Sequence, residues 1–149
     1  QPATIAHLWK NVDNIVGVKE ANGDFSATAT LMNLTDGGID LYSGNDDQIV
    51  PLLSLGGKGV ISVLSNIRPK FTHDMIWNFL NGNFEDAKNM QLNSIPLIND
   101  LFSEVNPIPV KAALNKMRFE FGIPRLPLVE FSDTNKKVLR QYLKADYHV

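Results

Sequence analysis

Three short apolar runs constrain this chain most: "NIVGVKEA" (Asn14 to Ala21), "IDLYSGND" (Ile39 to Asp46) and "GVISVLSN" (Gly59 to Asn66). Each is nearly continuous in apolar character and ends in small or polar residues. That pattern predicts strands buried in a parallel sheet rather than the alternating strands of a half-exposed one. Between them, "FSATATLMNLTDGG" and "DQIVPLLSLGG" have helical period and close on glycine pairs, Gly37 with Gly38 and Gly56 with Gly57. Glycine just past a helix end is the expected stop. A third helix is expected from about Pro69 to Leu80, with Met75, Ile76, Phe79 and Leu80 on one face. Strand and helix therefore alternate three times, which predicts repeated βαβ units and an α/β fold.

Outside that core the pattern is helical. Ile5, Leu8 and Trp9 in "QPATIAHLWKNVD" are spaced for a short helix or the tail of a longer one, with Pro2 tolerated in its first turn. After Asn81 the strand signals stop. Ala87, Met90, Leu97, Leu101 and Phe102 share one helical stripe in which Pro96 is expected to kink the helix. Val110, Ala113, Leu114, Met117 and Phe121 share another, with Pro109 near its start and Gly122 at its expected end. A last helix is expected over "SDTNKKVLRQYLKADY", N-capped by Ser132.

Three parallel strands leave two open sheet edges, which must be covered or will associate. A closed (β/α)8 barrel needs about 250 residues, and this chain has 149. Gln1 in place of an initiating Met adds the expectation of a cut or trimmed chain. A hydrophobic content of 44% suits one domain, or part of one, with a real core. The net charge of −2 offers no basic stripe for nucleic acid or an anionic membrane surface, and no apolar run approaches the roughly 20 residues of a bilayer span. Cysteine is absent, which excludes disulfides and thiolate metal sites and suits a reducing cytoplasm.

The one residue in the apolar runs that demands explanation is Lys19, at the C-terminal end of the first strand. In parallel α/β barrels catalytic groups gather at that end. A lysine desolvated by apolar neighbours readily gives up its proton and attacks carbonyls to form a Schiff base. The competing reading is a strand-end lysine that snorkels to solvent. Glu20 reads as a solvated or paired neighbour rather than a general base. In "YSGND", Gly44 lets backbone approach a ligand, or simply makes a turn. "GGKGVIS" lacks the phosphate-loop spacing, and its glycines precede the strand instead of following it. His7, His73 and His148 are scattered and form no metal pattern, and Lys111 in "NPIPVK" reads as structural.

Taken in order, "GVKEANGD", "YSGND", "GGKGVISVLSN", "NPIPVKAALN" and "RLPL" resemble the C-terminal half of the dihydrodipicolinate synthase family, over nearly the whole chain. The resemblance implies the C-terminal part of a (β/α)8 TIM barrel. Residues 1–81 would hold the family's sixth to eighth strands, and residues 82–149 a C-terminal extension of three helices. It implies that Lys19 forms the Schiff base with pyruvate, whose enamine attacks aspartate semialdehyde on the way to lysine and diaminopimelate. The backbones of Gly44 and Ile61 would face the bound pyruvate. Asn45 stands where the family usually has aspartate, and Asn66 matches a structural asparagine. No cofactor and no metal is implied. The family's threonine–tyrosine proton relay, substrate arginine, Gly-Thr-Thr-Gly loop and lysine-inhibition site come from the other half, so Tyr42, Tyr142 and Tyr147 do not stand in for the relay.

The expected partners are pyruvate, aspartate semialdehyde and either the N-terminal half or further copies of the chain as a homo-oligomer, with no nucleic acid and no membrane. Two other readings stay open: another pyruvate-dependent aldolase, such as N-acetylneuraminate lyase or a keto-deoxy-sugar aldolase, and a non-catalytic half barrel that associates with itself.

Overall fold

The computed structural model describes residues 1–133 and Leu139. Among them the order is α1 (Pro2–Asn11), β1 (Gly17–Glu20), α2 (Phe25–Leu34), β2 (Asp40–Ser43), α3 (Ile49–Ser54), β3 (Gly59–Val60), α4 (Pro69–Leu80), α5 (Phe84–Leu101) and α6 (Ile108–Lys116). Short 3-10 turns at Asp46–Gln48 and Leu64–Asn66 follow β2 and β3. The strands form one parallel sheet in the order β1-β2-β3, so the expected α/β alternation is present. All three strands are shorter than the apolar runs suggested. A strand is defined by its ladder, and β1 and β3 each have a neighbour on one side only among the described residues.

Helices cover one face of this sheet. Ala6 of α1, Leu31 of α2 and Ile39 form a buried cluster against which Ile5, Trp9, Val18 and Met32 pack. Leu41 and Ser43 of β2 are wholly buried. Parallel sheets normally bury both faces; among the described residues the opposite one is open, with Lys19 and Tyr42 exposed.

The helix ends follow one device with three different residues. After α3, Gly56 takes φ +93°, and the amides of Gly56 and Gly57 return to the carbonyls of Leu53 and Leu52. This is a Schellman stop on the expected glycine. After α2 the same pair of bonds forms with Asp36 (φ 49°) in the left-handed position, so Gly37 stands one place later than the stop itself. After α6 it forms with Arg118 (φ 70°): the Arg118 amide donates to Asn115 and the Phe119 amide to Leu114. The expectation that this helix runs to Gly122 is thereby corrected. Asn115 then fixes the outgoing chain, its Oδ1 accepting from the Phe121 amide and its Nδ2 donating to the Gly122 carbonyl, both at 2.8 Å. Pro96 lies inside α5. The expected last helix falls almost wholly outside the described residues.

The chain divides into two compact units, residues 1–62 with 74–91, and residues 63–73 with the described residues from 92 onward. The sheet belongs to the first. The second is built on a core that includes Leu64, Ile67, Leu97, Ile98, Leu101, Ala113 and Phe131. Lys111 donates from Nζ to the Ile123 carbonyl at 3.1 Å. No helix among the described residues is long and apolar enough to cross a membrane.

Asp100 in α5 is an exception to the rule that buried polar atoms are paired. Its Oδ2 is buried and has no hydrogen-bond partner among the described residues, and desolvation raises the pKa of its carboxyl. A raised carboxyl pKa means that the folded state holds the proton more tightly than the unfolded state. Its contribution is therefore most favourable at pH below the unfolded value and is lost as pH rises through the folded one. Asp100→Asn is expected to raise the thermal midpoint at neutral pH, and this advantage should shrink as pH falls through the carboxyl range. An advantage independent of pH would contradict the assignment.

Candidate functional site

The path from β1 into α2 is built by short side-chain bonds that aim the strand end. Glu20 Oε1 accepts from the Asn22 amide at 2.7 Å, Asn22 Oδ1 accepts from the Asp24 amide at 2.6 Å, and Asp24 Oδ1 caps α2 by accepting from the Ala27 amide at 2.9 Å. Glu20 is thus engaged in the turn, in keeping with its reading as something other than a general base.

Lys19 stands beside Tyr42 in register, and Tyr42 beside Gly59. Paired residues of a parallel sheet point to the same side, so these three share the open face, and Ile61 continues that side past β3. Tyr42 is 36% and Ile61 51% exposed, and Lys19 is exposed as well. Among the described residues the Lys19 ammonium has no hydrogen-bond or ion-pair partner. The packing of the described residues therefore leaves Lys19 exposed, as the snorkelling reading expects, and does not itself produce a desolvated lysine.

Gly44 brings the second strand end to the lysine. A Cβ at this position would stand 2.9 Å from Lys19 Cε, 2.6 Å from Ala21 Cβ and 3.1 Å from the Glu20 carbonyl oxygen. Only glycine leaves room there for the lysine stem. The Gly44 amide donates to the Glu20 carbonyl at 2.6 Å, and the Ile61 amide donates to the Ser43 carbonyl at 2.8 Å. Lys19, Gly44 and Ile61 are accordingly gathered at one end of the sheet by backbone bonds.

The remaining candidates are turn and helix-end residues. Asn45 Nδ2 reaches Gln48 Oε1 at 3.4 Å, and Asn66 Nδ2 donates to the Val63 carbonyl at 3.0 Å. In "GGKG", Gly56 and Gly57 end α3 and Gly59 opens β3. His7 and His73 are exposed, His148 lies outside the described residues, and no cluster able to hold a metal ion occurs among the described residues. Sequence reasoning missed Asp46, Ser62 and Gln91. The Ser62 hydroxyl donates to Asp46 Oδ1, and Gln91 Nε2 donates to the Asp46 carbonyl at 2.9 Å.

A sequence model of the dihydrodipicolinate synthetase family matches residues 1–146. The chain is 52% identical over 143 residues to a 4-hydroxy-tetrahydrodipicolinate synthase of Lachnoclostridium phytofermentans, covering 96% of this chain and 49% of that protein. Its fold is similar to the crystal structure of dihydrodipicolinate synthase from Thermotoga maritima, with a TM-score of 0.92 and 41% identity over 97% of this chain and 50% of that one. It is also similar to the chloride-inhibited synthase from Acinetobacter baumannii complexed with pyruvate, with a TM-score of 0.90 and 35% identity over 97% of this chain and 49% of that one. The chain spans about half the length of the curated relatives it matches.

Proposed function

Because the chain belongs to the dihydrodipicolinate synthetase family, we propose that it supplies the C-terminal half of a Schiff-base lyase that condenses pyruvate with aspartate semialdehyde in lysine and diaminopimelate biosynthesis. In this reading β1, β2 and β3 are the sixth to eighth strands of a (β/α)8 barrel. Residues 1–81 are the barrel part and residues 82–149 the C-terminal extension. The open sheet face is then the barrel interior, which the N-terminal half covers and thereby buries Lys19.

The observation that carries the reading is the fit of Lys19 against Gly44, with Ile61 on the same side of the sheet. The amine of Lys19 adds to the pyruvate ketone, and water leaves as the imine forms. Loss of a methyl proton gives the enamine, whose carbon attacks the aldehyde of the second substrate before cyclisation. The backbones of Gly44 and Ile61 form the wall against which pyruvate sits. A relative bearing bound pyruvate supports that substrate. The groups that move the protons belong to the other half, and general acid–base steps are worth about 10² to 10⁴ in rate.

The isolated chain is therefore expected to show no useful turnover and, with two open edges and an open face, not to run as a single monomer. Mixing it with the N-terminal half of a close relative should yield a complex with activity. Sedimentation together with a coupled turnover assay checks both points. A stable, fully active monomer of the chain alone would overturn the half-barrel reading. Defined self-association without activity, unchanged by the added half, would favour a non-catalytic assembly.

A further inference from the structure

Asp46 is 1% exposed, yet it lies in an irregular turn directly after the strand end that carries Gly44. Burying a carboxyl group is costly unless it is bonded, so the turn must gain something from it. Its Oδ1 accepts from the Ser62 hydroxyl. Its backbone carbonyl accepts from Gln91 Nε2 at 2.9 Å, and Gln91 Oε1 in turn accepts from the Val50 amide at 3.1 Å, so one glutamine side chain clasps both the turn and the start of α3. Gln91 is itself 5% exposed.

Sequence position gives the network its meaning. Asp46 follows Gly44 by two residues, and Ser62 directly follows Ile61. The Asp46–Ser62 bond therefore joins the two backbone segments proposed to face pyruvate. It lies just beyond the Ile61 amide to Ser43 carbonyl bond of 2.8 Å, so the segments are tied both at the strand ends and past them. Ser43 completes the turn, its buried hydroxyl donating to the Asn45 carbonyl at 2.8 Å and accepting from the Asn45 amide at 3.1 Å.

We infer that Asp46 is a positioning residue for the pyruvate wall, acting through Ser62 to fix the separation of the Gly44 and Ile61 backbones. The inference rests on the roles of Lys19, Gly44 and Ile61 proposed above. Asp46 touches no reacting atom in this account. Its effect is on how well the ketoacid is held while the imine forms.

The test uses the complete barrel containing this chain and measures the pyruvate concentration that gives half-maximal borohydride-trapped adduct on Lys19. Removing one partner of a charge-assisted bond should raise that concentration about tenfold in Asp46→Ala and severalfold in Ser62→Ala. The double variant should be no worse than Asp46→Ala, because both changes break the same bond. A purely structural role would lower the thermal midpoint and leave pyruvate saturation where it was. Saturation within about twofold of the parent in folded Ser62→Ala, or additive effects in the double variant, would overturn the inference. Should Asp46→Ala not fold, Ser62→Ala decides alone. A parent that forms no adduct contradicts the reading of Lys19 and removes this inference with it; a parent that forms the adduct while saturation in the variants stays put contradicts the role of Asp46 only.

Discussion

Lys19→Ala, in a complete barrel containing this chain, is expected to lower turnover by at least about 10⁴-fold, the scale on which removal of a covalent nucleophile acts. The fold should survive the change. Lys19 ends an exposed strand position and makes no hydrogen bond or ion pair among the described residues, so its removal breaks no bond of β1. Circular dichroism and sedimentation of the variant should match the parent while pyruvate-dependent borohydride trapping is lost. Retained turnover in a folded Lys19→Ala barrel would mean that the lysine is a snorkelling strand-end residue.

Gly44→Ala should also lower turnover, by less than Lys19→Ala and for a different reason. The new methyl would lie 2.6 Å from the Ala21 methyl and 2.9 Å from Lys19 Cε. Neither contact is tolerable, and the lysine stem is the more movable neighbour. Displacing a nucleophile by about 1 Å can cost about 10²-fold in rate. The loss should appear in the rate of adduct formation as well as in turnover, because imine formation is the step that needs the lysine in place. Overpacking at the strand end adds a stability loss of about 1 to 3 kcal/mol. Adduct formation at the parental rate in Gly44→Ala would show that the lysine reaches its working position by another path.

Much of the architecture was legible because it is local. The parallel order of the strands and the span of α4 follow from continuous apolar runs and from helical period, and Gly56 stops α3 where a glycine was expected. The end of α6 was not legible, because the left-handed position that stops it is occupied by Arg118, a residue with no preference for it, while Gly122 advertises a stop six residues after Lys116, the last residue of the helix. Strand lengths were overestimated because apolar character reports burial, whereas a strand also needs a paired neighbour.

The candidate site divides in the same way. Lys19 and Gly44 could be found in the sequence because each sits at a strand end, and the order of motifs added Ile61. The Asp46–Ser62–Gln91 network could not, since its members are 16 and 45 residues apart from Asp46 and meet only through the fold. The sequence left open whether Lys19 is exposed or desolvated. Whether a strand-end lysine is wet or dry depends on what covers the sheet face, and no local pattern in residues 14–21 encodes that.

The central claim is that Lys19 is the nucleophile of a pyruvate-dependent lyase, and one measurement addresses it without depending on the second substrate. A complete barrel containing this chain is reduced with borohydride in the presence of pyruvate, digested, and mapped by mass spectrometry. The account predicts a single reduced pyruvate adduct on the peptide containing Lys19, with Lys10, Lys58 and Lys111 unmodified. An adduct on any of those other lysines, or one that persists unchanged in Lys19→Ala, would contradict it.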